Sequence, residues 1–301
     1  MELLATGFNA WGQLQFHNGQ SDTSSEPDDI HSFQSVLKDD FIGHPCSLLE
    51  CTFVKTTSGI RQAGFIDANR ANLKEKFLSF TAALAGNGII AEYDGHDAIC
   101  QYGSQFSGSG PEQQNFSGMG RIVQLVAYET GFVALSKDGR VWTWGDARYS
   151  DCLGRSATNS SLAERPGFVE ELEDLPTGKI IKIFAAGYLI LALTEGYDLY
   201  AWGGHPGRRA ILEGLSGSPI PVVIKESDII DCGVGESHMI VLTSEHEVYV
   251  IGDNTNGQLG LSVKEARAWT RISLQLRVGQ IVCGVSAGQR TSFILTKDKD
   301  P

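Results

Sequence analysis

One spacing recurs along this chain, and it constrains the fold more than any other feature. Leu135, Leu193 and Leu242 each stand nine residues before a large apolar residue and ten residues before a glycine. The pairs that follow these anchors are Trp144-Gly145, Trp202-Gly203 and Ile251-Gly252. A further copy, FILTKDKDP, starts at Phe293 and stops at Pro301, before its apolar-glycine end appears.

The missing end of that copy stands near the N-terminus. The stretch ATGFNAWGQL (5–14) matches VIGDNTNGQL (250–259), so that Gly7 corresponds to Gly252 and Asn9 to Asn254. A repeat that is cut at one terminus and completed at the other predicts a closed ring. We expect a strand at about residues 2–7 to pair with a strand at about residues 291–296.

Two weaker copies bring the number of repeat units to six. Val54 leads to Ala63-Gly64, and Leu84 leads to Tyr93-Asp94, at the same spacing. Successive anchors lie 30, 51, 58, 49 and 53 residues apart, and a period near 50 is typical of propellers and solenoids. Each copy alternates apolar and polar residues on both sides of a glycine-containing turn, which favours β-hairpins. The predicted fold is an all-β, closed β-propeller.

The residues also carry a family resemblance. The block CGVGESHMIVLTSEHEVYVIGDNTNGQLGLS (232–262) resembles the repeat of the regulator-of-chromosome-condensation (RCC-like) family. Propellers of that family usually have seven blades, and the 30-residue interval after Val54 is short for a four-stranded blade. A seventh blade, truncated or cryptic, around residues 65–120 therefore remains an alternative. The resemblance covers essentially the whole chain, so we expect a single domain over residues 1–301.

Composition narrows the classes of function. The 301 residues carry a net charge of −12 with a pI near 5.0, whereas contact with nucleic-acid phosphates needs clustered basic residues. The N-terminus has no basic segment followed by an apolar one, and no stretch approaches the roughly 18 apolar residues of a membrane span. We therefore expect no direct nucleic-acid binding, no membrane binding, and a location in the cytoplasm, the nucleus or both.

The six cysteines form no CxxC pair. Cys232 and Cys283 both precede a glycine in their repeats, and Leu125 and Ile183 stand at the corresponding place in two others. This predicts buried, reduced core thiols and no disulfide. Cys46 and Cys51 lie near His44, but three ligands without a fourth are weak evidence for zinc. We predict no metal site and no cofactor.

Other conspicuous residues are interpreted as structural. His238 occupies one repeat position that Gly131 and Leu189 fill elsewhere, so we expect it to be packed and hydrogen-bonded within its blade. GNGIIA (86–91) matches a dinucleotide fingerprint in outline, but that fingerprint needs a helix and this stretch predicts a hairpin turn. Four tryptophans fall on repeat positions and are predicted to pack in the interior: Trp11, Trp142, Trp144 and Trp202.

Residues that depart from the repeat are the candidates for binding a partner. The acidic run between Pro166 and Pro176 is either a solvated connection or a docking patch for a basic partner. HPGRR (205–209) replaces the usual end of its repeat. We expect the segment 18–32 to form an acidic loop. The candidate residues are Glu170, Glu171, Glu173, Asp174, Arg208, Arg209 and Trp269, the last lying among charges in KEARAWTRI.

No linear motif of catalysis is present: the chain has no P-loop, no HExxH and no G-x-S-x-G. We predict a monomeric, noncatalytic scaffold or adaptor that binds a partner protein through its loops. The resemblance implies one alternative, a guanine-nucleotide exchange factor for a Ran-like small GTPase. The basic N-terminal tail of the founding type is not seen here, and no exchange wedge can be matched residue by residue.

Overall fold

The computed structural model describes residues 1–16, 27–66, 71–103, 113–225 and 227–299. The chain divides into two compact units, Met1–Lys74 with Ile224–Pro301 (unit 1) and Glu75–Val223 (unit 2). Almost all regular structure is β. Each unit contains three antiparallel sheets, which are the blades of the predicted propeller.

The strands follow one another along the chain with few helical interruptions. The first nine are β1 (Glu2–Gly7), β2 (Ile30–Lys38), β3 (Cys46–Ser47), β4 (Cys51–Thr56), β5 (Gly59–Gly64), β6 (Ala82–Leu84), β7 (Ile89–Tyr93), β8 (Ile99–Gly103) and β9 (Gln114–Phe116). The next eight are β10 (Ile122–Tyr128), β11 (Gly131–Ser136), β12 (Val141–Gly145), β13 (Gly167–Phe168), β14 (Ile180–Ala186), β15 (Leu189–Thr194), β16 (Leu199–Gly203) and β17 (Ile220–Val222). The last six are β18 (Ile229–Val234), β19 (His238–Thr243), β20 (Val248–Asp253), β21 (Glu265–Arg271), β22 (Gln280–Ala287) and β23 (Thr291–Asp298). Three helical elements have described bounds: α1 (Lys74–Leu78) and the 3-10 helices Ala147–Leu153 and Glu170–Leu172.

Unit 2 holds three four-stranded blades: blade II (β6–β9), blade III (β10–β13) and blade IV (β14–β17). Unit 1 holds blade I (β3–β5), blade V (β18–β21) and blade VI, whose strand order is β2-β1-β23-β22. Within each blade we label the strands A, B, C and D in order along the chain. Blade VI starts at β22, so its strands A to D are β22, β23, β1 and β2, and the described strands of blade I are A to C. The described residues thus form six blades, which confirms the six repeat units.

Blade VI joins the two termini, as the split repeat predicts. β1 pairs with β23 in antiparallel register from Glu2 opposite Thr296 to Gly7 opposite Thr291. The matching half-repeats also fold alike. Asn9 accepts the amide of Leu14 at 3.0 Å, and the equivalent asparagine of blade V accepts the amide of Leu259 at 2.7 Å. The shared asparagine therefore braces the same loop in both copies.

The weak copy at Leu84 is one hairpin out of register. Leu84 lies in β6, an A strand, whereas the anchor Leu135 lies in β11, a B strand. The B strand of blade II is β7, where Tyr93 pairs with Ile99 as Leu135 pairs with Val141. The predicted anchor was wrong because two successive hairpins of this blade show the same spacing in the sequence.

The corrected anchor removes the short interval that suggested a seventh blade. Val54 to Tyr93 is 39 residues and Tyr93 to Leu135 is 42 residues, and Tyr102-Gly103 then follows Tyr93 at nine and ten. Residues 82–116 supply the four strands of blade II. GNGIIA forms the first hairpin of this blade, with Gly88 at φ 83°, as the sequence predicts.

The hydrophobic core lies between consecutive blades of each unit. One buried cluster joins blades III and IV and includes Ile183, Ile190 and the fully buried Trp202. Trp144 is similarly buried between blades II and III, as predicted. Trp11 does not follow the prediction: its side chain is 52% exposed. It lies in a C–D loop, where the repeat position faces solvent.

In two blades, a polar side chain on the A strand forms hydrogen bonds to the next blade. Gln124 donates to the carbonyl of Ile183 at 2.7 Å and accepts its amide at 2.9 Å. Asp231 takes the corresponding place in blade V and accepts the amide of Val285 at 3.0 Å. Both residues follow a bulge in their strands.

This bulge corrects the prediction for Cys283. The residue equivalent to the buried Cys232 is Val285, because both lie one position after the blade-linking position of their strands. Cys283 is itself the bulge residue of β22 and is partly exposed. The exposed Val123 is the bulge residue of blade III. All six cysteines are free thiols.

Candidate functional site

The strands of unit 2 have two chemically different ends. The A–B turns and the C–D loops lie at one end, which we call the AB end. The B–C turns and the connections to the next blade lie at the other, the BC end. At the AB end the three blades are in register, since Asn87 donates its amide to the carbonyl of Glu129, and Glu129 donates to the carbonyl of Gly187.

The predicted acidic run lies on the connection between blades III and IV. It follows β13, forms the 3-10 helix Glu170–Leu172 and precedes β14. Its four acidic side chains are exposed, and only Leu172 inserts into the core. Glu173 pairs with Arg140 of the B–C turn at 3.4 Å, while Glu171 accepts from the hydroxyl of Ser218 at 3.1 Å. Exposed interactions of this kind contribute little to stability.

Arg208 and Arg209 lie at the opposite end of the blades, in the C–D loop of blade IV. Both are exposed. The guanidinium of Arg208 lies over the ring of Tyr188, 5.7 Å from its centroid. Tyr188 is in the A–B turn of the same blade, so the loop and the turn form one surface.

Two further rings extend that surface. The ring centroid of Tyr188 is 4.8 Å from that of Tyr149 and 4.7 Å from that of His205, and Tyr149 and His205 are 5.3 Å apart. Arg148 lies 5.9 Å from the Tyr149 ring centroid. We call Tyr149, Tyr188, His205, Arg208 and Arg209 the aromatic–arginine surface. Its rings are partly exposed, and buried tyrosine and arginine are enriched at the centres of protein interfaces.

A half-buried arginine, Arg155, holds the blade III part of this surface in place. Arg155 donates to the carbonyl oxygens of Thr143 at 3.1 Å, Leu162 at 3.1 Å and Arg165 at 2.9 Å. It also donates to the hydroxyl of Ser161 at 2.9 Å. Partial burial lowers the pKa of Arg155 from its usual value. The loop 146–166 is therefore built around one guanidinium.

Hydrogen bonds between the two blades hold the rest of the surface. The indole of Trp202 donates to the carbonyl of Cys152 at 3.2 Å. The thiol of Cys152 in turn lies 3.7 Å from the carbonyl oxygens of both Tyr188 and Gly204. Thus a core side chain, a thiol and two loop carbonyls place the A–B turn and the C–D loop relative to each other.

Desolvation raises the pKa of the Tyr188 phenol to about 12, with a further increase from its hydrogen bond to Tyr149. The phenol is therefore neutral and able to donate a hydrogen bond at physiological pH. Asp146 accepts Arg148 through both carboxylate oxygens, at 3.0 Å and 3.1 Å from Nε, and this hydrogen bonding lowers the pKa of Asp146.

The predicted partner residues are distributed over both units. The acidic run of unit 2 follows β13 towards the BC end, whereas Arg208 and Arg209 are in the C–D loop of blade IV, which touches the run where Ser218 donates to Glu171. Trp269 is in unit 1, on the outermost strand of blade V. There Val250 pairs with Thr270 and Gly252 pairs with Ala266, so Trp269 stands in an irregular part of β21 and is half-buried. Of the acidic loop predicted at 18–32, residues 18–26 lie outside the described residues.

Sequence reasoning missed Tyr149, Tyr188 and His205 because each stands in a different loop or turn. One signal was available: GDARYSDCLGR and HPGRR are the C–D loops of consecutive blades, and both lose the asparagine of the repeat. The side chains that replace it meet only after the two blades pack together.

His238 has the properties of an interior residue. It is fully buried, and desolvation lowers its pKa to about 4. Its Nε2 lies 3.0 Å from the hydroxyl of Ser292 and 3.2 Å from the carbonyl of Thr291. Both partners belong to β23 in blade VI, so the prediction of a bond within its own blade was wrong. The histidine joins two neighbouring blades.

Metal ligands do not come together in the described ranges, where no group of three His, Cys, Asp or Glu side chains could hold an ion. In the same part of the chain, no helix has the length and apolar character needed to cross a membrane.

Comparison with known proteins supports the repeat assignment. The family model described as "Regulator of chromosome condensation (RCC1) repeat" matches residues 229–258. The human E3 ubiquitin-protein ligase HERC2 is 29% identical over 168 residues, which cover 50% of this chain and 3% of that protein. The human Regulator of chromosome condensation is 29% identical over 143 residues, covering 46% of this chain and 32% of that protein. The chain thus spans a third or less of the length of these two relatives.

Solved structures extend the likeness to the whole chain. Human WBSCR16 matches with a TM-score of 0.59 at 18% identity, covering 98% of this chain and 82% of that one. Prp20p from Saccharomyces cerevisiae matches with a TM-score of 0.59 at 14% identity, covering 99% of this chain and 92% of that one. At these identities the likeness establishes the fold.

Proposed function

Because this chain is an RCC1-like β-propeller, we propose that it is a noncatalytic adaptor that binds a partner protein through the loops at its strand ends. The observation that carries the proposal is the aromatic–arginine surface. Three rings and Arg208 meet there from two loops and a turn, and Tyr149 and Tyr188 also pack against the edge of the core cluster between blades III and IV.

The residues that define the repeat and the residues that depart from it lie in different places, and this difference supports the proposed function. Residues that define the repeat, such as Leu135, Leu193 and Leu242, are buried. Residues that break the repeat are exposed at the strand ends, where they do not affect the core. Protein interfaces are enriched in tyrosine and arginine and depleted in lysine. Among the described residues of the AB-end loops of unit 2, the basic residues are five arginines and no lysine.

The acidic run remains a second proposed contact. The four carboxylates of Glu170, Glu171, Glu173 and Asp174 would attract a basic part of the partner and raise its rate of association. Trp269 is proposed as a peripheral contact in unit 1. We further propose that the protein acts as a monomeric, single-domain propeller in the cytoplasm or nucleus, without a cofactor.

The alternative is a guanine-nucleotide exchange factor for a Ran-like GTPase. One observation favours it: the fold matches that of Prp20p, whose structure was described together with its binding to Gsp1p and histones. An adaptor is preferred because no exchange wedge can be matched to this chain residue by residue, and the clustered rings with Arg208 support the proposal of a docking surface.

The test is affinity purification of the tagged chain from its own cells, with two variants beside the wild type. Tyr149→Ala with Tyr188→Ala removes two rings of the surface. Tyr197→Ala is the matched control, since this tyrosine is exposed in the B–C turn of blade IV at the other end. We expect a stoichiometric partner with the wild type and the control, and loss of that partner with the double variant.

The alternative function, guanine-nucleotide exchange, is tested with the same three proteins. Release of fluorescent GDP from a panel of small GTPases should be no faster with the chain than without it. Accelerated release from one GTPase would replace the adaptor with the exchange factor, and equal recovery of the partner with all three proteins would remove the aromatic–arginine surface from the proposal.

A further inference from the structure

Blade I differs from the other blades at its outer edge. In each of the other five sheets a D strand pairs antiparallel with the C strand. The described strands of blade I end with its C strand, β5 (Gly59–Gly64), and the next element with described bounds is the helix α1. Among the described residues, therefore, no strand pairs with the outer edge of β5.

Side-chain burial along the C strands shows what this difference leaves uncovered. Four residues before the glycine that closes its repeat, each C strand carries a large apolar side chain near its start. In blade I this residue is Ile60, and it is 37% exposed. In the other five blades the equivalent residue is 0–2% exposed: Leu3, Ile99, Val141, Leu199 and Val248. The exposure of Ile60 thus belongs to the unpaired edge, since the residue type is the same throughout.

The backbone of β5 presents hydrogen-bonding groups on the same edge. Successive residues of an antiparallel strand direct their N–H and C=O groups to opposite sides. Lys55 of β4 accepts the amide of Gly43 at 2.8 Å, on the side away from β5. Its cross-strand neighbour Ile60, and with it Gln62, therefore directs its backbone groups away from β4. The Gln62 side chain donates to the outward carbonyl of Gly64 at 3.2 Å, so β5 satisfies one group of this edge by itself.

The other blades show which residue fits opposite Ile60. The amide of Val169 donates to the carbonyl of Val141 at 3.0 Å, and the amide of Ile272 donates to the carbonyl of Val248 at 2.9 Å. A large apolar residue also stands opposite the equivalent position in the remaining three blades: Val222 opposite Leu199, Leu37 opposite Leu3, and Phe116 opposite Ile99. Each blade thus covers this position with one backbone segment and one apolar side chain.

We propose that the outer edge of blade I binds an extended segment of a partner protein, which pairs antiparallel with β5 and places Val, Ile, Leu or Phe opposite Ile60. In strand addition of this kind, backbone hydrogen bonds give affinity and side-chain contacts give specificity. The contact goes beyond the proposed function, because it uses a strand edge in unit 1 and not the aromatic–arginine surface of unit 2.

A second copy of this chain fits the edge less well than a partner segment does. If two β5 strands paired antiparallel about Arg61, Gln62 would stand opposite Ile60, where the other blades place an apolar residue. The two arginines would also face each other, and like charges directly opposite destabilise a strand pair. Pairing about Ile60 would overlap only Gly59 to Arg61, because the turn at 57–58 precedes the strand.

The probe is a synthetic peptide with the sequence of residues 265–275, EARAWTRISLQ, which contains the D strand of blade V and its Ile272. The control peptide has the same sequence and charge but is N-methylated at Thr270 and Ile272. Those two amides point towards the C strand in blade V, so methylation removes the donors that a strand needs for pairing. Affinity is measured by fluorescence anisotropy, and the site is located by amide hydrogen exchange of the whole chain.

Hydrogen exchange should distinguish alternate residues of β5. Without peptide, the outward amides of Ile60 and Gln62 should exchange faster than the inward amides of Arg61 and Ala63, which pair with β4. With the peptide at ten times its Kd, exchange at Ile60 and Gln62 should slow by about tenfold. The methylated peptide should leave these rates unchanged.

Variants of β5 separate the backbone from the side chain. Gln62→Pro removes the outward amide, and proline is tolerated at a sheet edge where its nitrogen faces outward. It should weaken the peptide by about fivefold or more. Gln62→Ala is the matched control, since it keeps the amide and removes only the side chain, and it should bind no more weakly than the wild type. Ile60→Thr keeps a β-branched residue, and the loss of apolar contact should weaken the peptide by about threefold to tenfold.

The proposal is overturned if the amides of Ile60 and Gln62 are already protected in the chain alone, because the chain then covers its own edge. It is equally overturned if the peptide does not slow their exchange, if the methylated peptide slows it as much, or if Gln62→Pro binds as tightly as Gln62→Ala. A wild-type dimer that Gln62→Pro dissociates would identify a second copy as the occupant instead. These outcomes leave the test with Tyr149→Ala and Tyr188→Ala unaffected, so the proposed function stands or fails separately.

Discussion

The two ends of unit 2 are built from the same blades but use their loops differently. At the AB end the loops 146–166 and 204–219 are long, and Arg155 and Cys152 tie their carbonyl oxygens to the interior. At the BC end the acidic run is part of a shorter connection, in which Val169 and Leu172 are buried in the core cluster and Leu175 packs against it. Ordered loops can hold side chains in a defined arrangement, whereas solvated charges act mainly at long range.

This difference predicts that the AB end determines specificity for a partner and that the BC end supplies long-range electrostatic attraction. Contact geometry belongs to the AB end, because rings and guanidiniums there have neighbours at measured distances. The BC end can attract a basic group, but nothing holds the four carboxylates in one arrangement apart from the contacts of Glu171 and Glu173. Mutations at the first end should therefore affect both structure and binding, and mutations at the second should leave structure intact.

The largest effect is expected for Trp202→Ala. The side chain is fully buried and its indole donates to Cys152, so the change leaves a cavity and an unpaired carbonyl under the AB end. The free energy of unfolding should fall by about 3–5 kcal/mol. Urea denaturation measures it, and Trp11→Ala is the control, because that ring is 52% exposed. Equal losses in the two variants would contradict the burial that distinguishes them.

The next largest effect is expected when His238 is protonated at acid pH. This residue begins β19, the B strand of blade V in unit 1. Its pKa is lowered to about 4 in the folded chain from the ordinary value of 6.5, so folding favours the neutral ring. The stability contribution is complete above pH 6.5 and is lost as the pH falls from 6.5 through 4. The total is about 3 kcal/mol at most.

His238→Gln removes this titration and provides the measurement. Urea midpoints of wild type and variant are compared at pH 7, 6, 5 and 4. The variant should be less stable at pH 7, since it loses the fit to Ser292, and the gap should narrow as the pH falls. A gap that stays constant over this range would show that the imidazole does not titrate with folding.

A smaller effect is expected for Arg155→Leu, which tests whether one guanidinium orders the loop 146–166. The carbonyl oxygens of Thr143, Leu162 and Arg165 lose their donor, and a cost of about 1–3 kcal/mol follows. Hydrogen exchange should accelerate in the loop and not at the BC end. Arg165→Leu is the control, since that side chain is exposed. Unchanged exchange in Arg155→Leu would mean that the loop is ordered by other contacts.

The smallest structural effect is expected for the acidic run. Changing Glu170, Glu171, Glu173 and Asp174 together to lysine should leave the melting temperature nearly unchanged, because exposed charges contribute little to folding. The same variant should slow association with a basic partner, with an effect that shrinks as salt is added. Affinity and salt dependence equal to those of the wild type would make the run a solvated connection only.

Much of the fold followed from the sequence because the repeat is written in local spacing. The pairing of β1 with β23 was visible in the split copy, and the B–C hairpins of blades III, IV and V were visible in their nine-and-ten spacing. Blade II was misread because Leu84 and Tyr93 show that spacing in two successive hairpins. Only strand pairing tells which of the two is equivalent to Leu135.

The candidate site was accessible only in part. The segment HPGRR departs from the repeat and so indicated Arg208 and Arg209 as candidates, and both are exposed in the structure. Tyr149 lies in GDARYSDCLGR, which also loses the asparagine of the repeat, but the linear pattern did not show that this loop meets the next blade. Tyr188 carried no signal, since it stands in a two-residue turn. Cys283 and His238 show the same limit, because a bulge and an inter-blade hydrogen bond do not appear in a linear pattern.

The sequence by itself determined the β class, the six repeats and the joining of the termini in one blade, since each depends on residues a few positions apart or on one repeated motif. The tertiary structure decided which departures from the repeat meet. It placed the acidic run on the connection after β13 and Arg208 in a C–D loop, and it brought three rings from separate loops and a turn within 5.3 Å of one another. The physical reason is that hairpin spacing is a local property of the chain, whereas contacts between loops depend on how neighbouring blades pack.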